Sequence, residues 1–513
     1  MSFSVAGIIR DQAAARGDKV AIVFGDRPIT YGELDERSNR VAGALLAAGV
    51  GPADHVAFID MNGPEYFEVL FGCAKVNAIN VGVNWRLAPG EMAYTINDSE
   101  AKALFVGPDF QAAIGGVRAD LHSVRTVVNL GEEYETWLDG GAASDPLANS
   151  AGDDVAIQLY TSGTTGLPKG AMITNRNLET LITQVLVDWE FDAESVNLVA
   201  SPLFNIAGGG WALVGMFCGA TTVLLRTATP PSLLQAIAER GVTNALLVPA
   251  LLNFMLQVPG VEDIDLSSLR AIVYGASPIS AQVLAESIKT FKCHFIQAYA
   301  LTEHTGSATI MRPEEHDLAN PARLLSCGRP HAWVSLRIAD PLSGEDKSVG
   351  EVGEIWLRSG QVMKGYWNRP DATAETITAD GWLRTGDLAY ADADGYVYLQ
   401  DRVKDMIISG GQNVYPVEVE NVLMAHPAIA DVAVIGVPDP QWGEAVKAIV
   451  VRKPGAAGGE GEDIIAFPRE RIAHFKAPSS VDFADALPRN PSGKVLKREL
   501  REPYWAGLAR RIN

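Results

Sequence analysis

Residues 160 to 170 read Tyr-Thr-Ser-Gly-Thr-Thr-Gly-Leu-Pro-Lys-Gly: three glycines, four Ser/Thr residues and one lysine in a single run. They follow the apolar stretch Val155 to Leu159. A strand that opens into such a loop offers backbone N–H groups and hydroxyls with little steric bulk. These can wrap a polyphosphate, and Lys169 adds positive charge. The spacing is not that of the ordinary P-loop, whose second glycine is followed at once by Lys and Ser/Thr. Here Leu167 and Pro168 intervene, and Gly170 follows Lys169. A plain Gly/Thr surface turn is the other reading of the same residues.

The loop sits in a chain of 513 residues, 47% apolar, long enough for more than one domain. A net charge of −20 argues against broad nucleic-acid binding and against an anionic membrane surface. Cys73, Cys218, Cys293 and Cys327 are far apart and show neither metal spacing nor a disulfide framework. The first ten residues lack the pattern of a signal peptide, and a cytoplasmic location is expected. The stretch from Ser201 to Leu225 carries no charge and is long enough to cross a bilayer. Its five glycines, Pro202 and Asn205 favour a buried glycine-rich helix beside a ligand, with no membrane span.

Elements to position the loop are legible as apolar runs alternating with helical periodicity. Val20 to Phe24, Val56 to Ile59, Ala103 to Val106 and Thr126 to Leu130 predict buried strands. Thr221 to Leu225, Ala245 to Val248, Ala271 to Tyr274 and Cys293 to Ala298 do the same. Tyr31 to Ala48, Gly63 to Lys75, Ser232 to Arg240 and Ser280 to Thr290 predict helices between them. This alternation implies an α/β fold of mainly parallel, helix-covered sheets. Glu351 to Arg358 and Trp382 to Leu399 then predict a β-rich subdomain, with hairpin turns at Asp380-Gly381 and Asp394-Gly395. A small α+β domain begins after Asp401, with strands at Ala430 to Ile435 and Ala448 to Val451. The expected division is 1–401, a hinge at 402–404, and a mobile C-terminal domain over 405–513.

Six further segments combine with the loop. They are Tyr274-Gly-Ala-Ser-Pro-Ile279, Gln297-Ala-Tyr-Ala-Leu-Thr-Glu303, Tyr366-Trp-Asn-Arg-Pro370, Gly381-Trp-Leu-Arg-Thr-Gly-Asp387, the run from Asp401 to Pro416, and Pro488-Arg-Asn-Pro-Ser-Gly-Lys-Val-Leu-Lys-Arg-Glu499. Their order and spacing resemble the adenylate-forming superfamily over nearly the whole chain, and within it the bacterial acyl-CoA synthetases most. The resemblance implies two half-reactions. A carboxylate attacks the α-phosphate of ATP, giving acyl-adenylate and pyrophosphate. The C-terminal domain then rotates, and the thiol of CoA attacks the acyl carbon. Both steps need positioning and charge neutralisation more than a protein nucleophile.

The resemblance assigns roles residue by residue. Thr161, Ser162, Gly163, Thr164, Thr165, Gly166 and Lys169 would hold the β- and γ-phosphates. Tyr299 would stack on adenine, within a nucleotide site that also takes in Ala276, Ser277, Ala298 and Ala300. Thr302 and Glu303 would face the phosphates and Mg²⁺, with Glu303 the metal-side carboxylate. Asp387 would accept from both ribose hydroxyls, Arg402 would reach the nucleotide, and Lys404 marks the pivot. Lys494 would meet the charge building on the α-phosphate during adenylation. By itself it also fits a solvated basic run. Gly410 and Gly411 would line the pantetheine channel, with Trp442 either near the CoA end or simply buried. Gly208, Gly209, Gly210, Pro249, Tyr274 and Gly275 are candidates for the acyl pocket.

Two departures stand out against the family pattern. Relatives usually carry glycine on both sides of the tyrosine in Gln297 to Glu303, where this chain has Ala298 and Ala300. Two methyl groups would crowd the strip between acyl carboxylate, α-phosphate and adenine, and weaken adenylation more than thioester formation. The same pair resembles acyl-CoA ligases of natural-product biosynthesis, the platensimycin pathway among them. Phe204-Asn205 stands where many relatives have Phe-His, which implies substrate tuning. Several readings therefore stay open: a complete acyl-CoA ligase, a non-adenylating ligase fed acyl-adenylate by a separate adenylating enzyme, a ligase loading an acyl-carrier protein, and a nucleotide-binding protein without ligase activity. The partners in view are a small-molecule carboxylic acid or its adenylate and CoA, with no nucleic acid. A homodimer is the assembly such a chain would most often form.

Overall fold

The protein is described by a computed structural model covering residues 3–161, 167–277, 279–402, 405–409, 412–453, 459–489 and 495–506. Two helix-covered sheets build the N-terminal part. The larger runs, edge to edge, through Arg329–Pro330, Gly306–Met311, His294–Leu301, Ala271–Gly275, Asn244–Leu247, Val196–Val199, Thr221–Leu224, Val20–Phe24 and Arg27–Thr30. Its interior pairings are parallel and only its edges antiparallel. The second sheet runs Gly365–Tyr366, Lys169–Thr174, Val155–Thr161, Ile79–Gly82, His55–Ile59, Ala103–Val106 and Thr126–Asn129. The central apolar runs become strands buried on both faces, as parallel sheets require, while Val20–Phe24 and Thr126–Asn129, near the sheet edges, are partly buried. His55–Ile59 and Ala103–Val106 are buried at every position.

Local chemistry sets the helix starts. Thr30 accepts from the Glu33 N–H while Glu33 reaches back, a reciprocal cap that opens helix Tyr31–Ala47. Thr174 and Asn177 do the same for helix Asn175–Asp188. The uncharged stretch at Ser201 folds as helix Ile206–Cys218, buried along most of its length. Among the described residues no helix is long and apolar enough to cross a membrane. All four cysteines are free thiols.

A four-stranded antiparallel sheet follows: Ser335–Ala339, Gly353–Arg358, Leu383–Ala391 and Val397–Arg402. Gly381 and Gly395 take positive φ, 84° and 81°, at the two predicted turns. The small C-terminal domain holds a mixed sheet of its own. In it the hairpin of Ile429–Asp439 and Gly443–Arg452 is flanked by Ile407–Ser409, Gln412–Val414 and Ser480–Phe483. It has its own core, which includes Ile407, Val419, Leu423, Val434 and Val450.

Candidate active site

The C-terminal ends of parallel strands are where open α/β sheets bind ligands. Ala271–Gly275 and His294–Leu301 end side by side, with Gly275 opposite Ala298. Contact there is close. A Cβ on Gly275 would lie 2.1 Å from the Ala298 carbonyl oxygen, so only glycine fits. Ala276 turns the chain out of its strand at φ 67°, followed by Ser277.

Beyond Leu301 the chain makes a single 3₁₀ turn, Thr302–His304, held by the Met363 N–H donating to the Glu303 carbonyl at 2.9 Å. The Glu303 carboxylate thereby meets the second sheet. Thr161 Oγ1 and the Tyr366 hydroxyl each donate to Glu303 Oε1 at 2.9 Å. Lys169 stands opposite Thr161 across the strand pair, its Nζ 5.1 Å from the Tyr366 ring centre. Three segments distant in sequence thus place two hydroxyls, an ammonium and a carboxylate together. Burial and the Glu303 charge raise the Tyr366 phenol above its ordinary range, so it acts as a donor.

Tyr299 is 7% exposed, and its hydroxyl donates to Asp387 Oδ2 at 2.7 Å. Burial and then the Asp387 charge raise this phenol well above its ordinary range. The backbone of Arg402 pairs with that of Asp387. The two alanines separate. Ala298 is 7% exposed and its methyl joins the main core with Ile310. Ala300 is exposed, just past a register shift after Tyr299 at which Ala308 of the facing strand is the extra residue.

A buried polar network backs the turn. His304 Nε2 meets Ser359 Oγ at 2.8 Å, and Gln361 donates to the Ser307 carbonyl at 3.1 Å. Burial pushes the His304 imidazole down to about 3, so it stays neutral.

The acyl candidates have varied settings. Asn205 precedes helix Ile206–Cys218, and its carbonyl accepts from Gly208 and Gly209 at 3.1 and 2.9 Å. Gly208, Gly209 and Gly210 are buried, the first two against the loop from Ser201 to Asn205. Pro249 opens helix Pro249–Leu256. Tyr274 is fully buried, its hydroxyl 3.0 Å from His316 Nε2. Trp442 is not buried: it sits 52% exposed at the hairpin tip, next to Gly443, which pairs with Ser409. Ser162, Gly163, Thr164, Thr165, Gly166, Lys404, Gly410, Gly411 and Lys494 lie outside the described residues. In the sequence Tyr366 belongs to the Tyr366-Trp-Asn-Arg-Pro370 segment with no role of its own, and its distance along the chain from Glu303 hides the contact.

Among the described residues no cluster of three or more His, Cys, Asp or Glu could hold a metal by itself. Glu303 could still contribute one carboxylate to a hard cation that takes its other ligands from phosphate and water.

The AMP-binding enzyme family model matches residues 9–367, and the model of the AMP-binding enzyme C-terminal domain matches residues 418–494. The chain is 40% identical over 498 residues to the fatty acid–[acyl-carrier-protein] ligase ScoC of Streptomyces coeruleorubidus, covering 96% of this chain and 95% of that one. It is 40% identical over 486 residues to a feruloyl-CoA synthase of an Amycolatopsis species, covering 94% and 96%. Among solved structures, ATP-bound MatB from Rhodopseudomonas palustris superposes with a TM-score of 0.90 at 30% identity, covering 97% of this chain and 99% of that one. Along nearly its whole length, in both its large and its small domain, the chain belongs to the AMP-binding enzyme family.

Proposed function

We propose that the chain is an acid–thiol ligase that makes the CoA thioester of a carboxylic acid by way of an acyl-adenylate. The observation that carries this is the junction of Thr161, Lys169, Tyr366 and Glu303 at the mouth of the 162–166 loop, in a chain that is an AMP-binding enzyme throughout. In the first step a carboxylate oxygen bonds to the α-phosphorus of ATP and pyrophosphate leaves. In the second the thiol sulfur of CoA bonds to the acyl carbon and AMP leaves. Thr161 and Lys169, with the 162–166 loop, hold the β- and γ-phosphates. Asp387 takes the ribose hydroxyls, Tyr299 and the Ala276–Ser277 turn border the base, and Arg402 lies on the nucleotide side. Glu303, beside Thr302, would hold Mg²⁺, whose charge would offset that of the phosphates. Lys494 serves the first step. Rotation about Lys404 within 402–404 then brings Gly410, Gly411 and Trp442 round for the second.

The first half-reaction is the weaker one. Ala300 puts an exposed methyl on the strip where relatives have glycine, and reacting groups tolerate little displacement. A separate adenylating enzyme would then supply the acyl-adenylate. A second reading concerns the acceptor: among the relatives at 40% identity, one is named for an acyl-carrier protein and others for CoA.

Mass spectrometry of thioester under two feeds tests this. One feed is a panel of carboxylic acids with ATP, Mg²⁺ and CoA; the other is the matching acyl-adenylates with CoA alone. Thioester from the second feed, with little from the first, is expected. Equal yields would remove the impaired first step. No thioester from either feed, with an acyl-carrier protein charged instead, would shift the acceptor.

A further inference from the structure

The end of one helix, through Asp98 and Tyr94, meets the chain on both sides of residues 162–166. Asp98 ends helix Pro89–Asp98, and its side chain is 8% exposed. The Tyr160 hydroxyl donates to Asp98 Oδ2 at 2.8 Å, and the Arg369 guanidinium pairs with Oδ1. Tyr94, one turn earlier on the same helix face, has its hydroxyl 3.2 Å from the Pro168 carbonyl and 3.4 Å from Asp98 Oδ1. Tyr160 lies on the strand entering the loop, and Pro168 lies on the segment leaving it.

Arg369 follows Tyr366 by three residues, and the Trp367 N–H between them donates to the Gly170 carbonyl at 2.8 Å. The same helix end therefore holds the way in, the way out, and the segment whose Tyr366 hydroxyl reaches Glu303. Behind it, Gln158 donates to the Tyr160 hydroxyl at 3.2 Å and meets His55 Nε2 at 3.1 Å. A Cβ on Gly170 would lie 2.4 Å from Gln158 Nε2, so a larger residue there would displace the Gln158 amide. Burying a carboxylate is costly, and an apolar side chain would often hold a fold as well. What apolar packing does not supply is a directional tie from one carboxylate to two different segments, at Tyr160 and Arg369.

We infer that Asp98, assisted by Tyr94, is a positioning residue: Asp98 fixes the strand end at Tyr160, Tyr94 fixes the segment at Pro168, and together they register both against Tyr366 and Glu303, so that Thr161 and Lys169 stand in place for a polyphosphate. This rests on the proposed reading of 162–166 as the β,γ-phosphate cradle. An acyl-adenylate has neither of those phosphates, which separates positioning from general damage.

The test measures MgATP affinity by titration calorimetry in the full chain for wild type, Asp98→Asn, Asp98→Ala and Tyr94→Phe, with adenylate-fed thioester formation as the second readout. The MgATP Kd is expected to rise about 10-fold or more in Asp98→Ala and less in Asp98→Asn, which keeps the shape and an acceptor. The adenylate-fed kcat/KM should fall by much less than the affinity. A Kd within about 2-fold of wild type in Asp98→Ala, or a parallel fall of both readouts, overturns the inference. If Asp98→Ala does not fold, Tyr94→Phe removes one hydroxyl and should still raise the Kd several-fold, about the effect of one hydrogen bond; an unchanged Kd there counts against it equally. A wild-type chain that binds no MgATP would instead refute the reading of the loop, before any variant is made, and the positioning role with it.

Discussion

Replacing both alanines by glycine, Ala298→Gly with Ala300→Gly, should raise ATP-fed thioester formation and leave the adenylate-fed reaction nearly unchanged. The structure divides the effect between the two positions. Ala298 is 7% exposed in the main core, so removing its methyl loses about 0.8 kcal/mol of burial. Glycine in a strand adds a further cost of roughly 0.5–1 kcal/mol. Ala300 is exposed and carries the backbone cost alone. The double variant is thus destabilised by roughly 2 kcal/mol, which the unfolding midpoint will register. The gain in rate comes mainly from position 300, whose methyl stands free on the strip just past the register shift. If that methyl holds carboxylate and α-phosphate about 1 Å too far apart, its removal restores up to about 10²-fold. The assay is the ratio of ATP-fed to adenylate-fed kcat/KM by mass spectrometry, which cancels differences in the amount of active protein. A ratio unchanged in a folded double variant refutes the crowding argument. A gain confined to Ala298→Gly would move the obstruction to the buried side, where the Ala298 carbonyl lies against Gly275.

Tyr366→Phe removes the 2.9 Å bond to Glu303, and a bond to a charged group contributes about 1.5–3 kcal/mol. In the double-glycine background ATP-fed kcat/KM should fall about 10-fold or more, and an effect under 2-fold would detach Tyr366 from the site. His304 is buried neutral with its pKa down to about 3, against about 6.5 when unfolded, so its contribution is complete above pH 6.5 and shrinks as pH falls toward 3. Between pH 7 and pH 5 that loss is about 2 kcal/mol. In His304→Asn the urea midpoint should vary less steeply over this window, and an equal slope would contradict the assignment. Trp442→Ala, at a position 52% exposed, should move stability by no more than about 0.5 kcal/mol yet raise the KM for CoA in the adenylate-fed reaction. An unchanged KM would remove Trp442 from the acceptor site.

The strands could be located from sequence because parallel strands buried on both faces must be apolar throughout. Ala103 to Val106, buried throughout, matches the observed strand end for end; Val20 to Phe24 also matches, though it is partly buried. Strand ends were less legible. Cys293 to Ala298 becomes His294–Leu301, since the last residues are held by pairing with Gly306–Met311 rather than by their own apolarity. The motifs identified the family because they keep fixed order along the chain. Which partner each motif residue meets is another matter, for it depends on sheet order. Val20–Phe24 lies beside Thr221–Leu224, about 200 residues on. Thr161, Glu303 and Tyr366 meet only because two sheets bring their strand ends to one place. Asp98 and Tyr94 belong to no motif, and their hold on Tyr160 and Pro168 follows from where helix Pro89–Asp98 packs. Composition could not separate Ala298 from Ala300 either. Ala298 lies in the core and Ala300 is exposed, and burial is a property of the packed molecule rather than of the residue type.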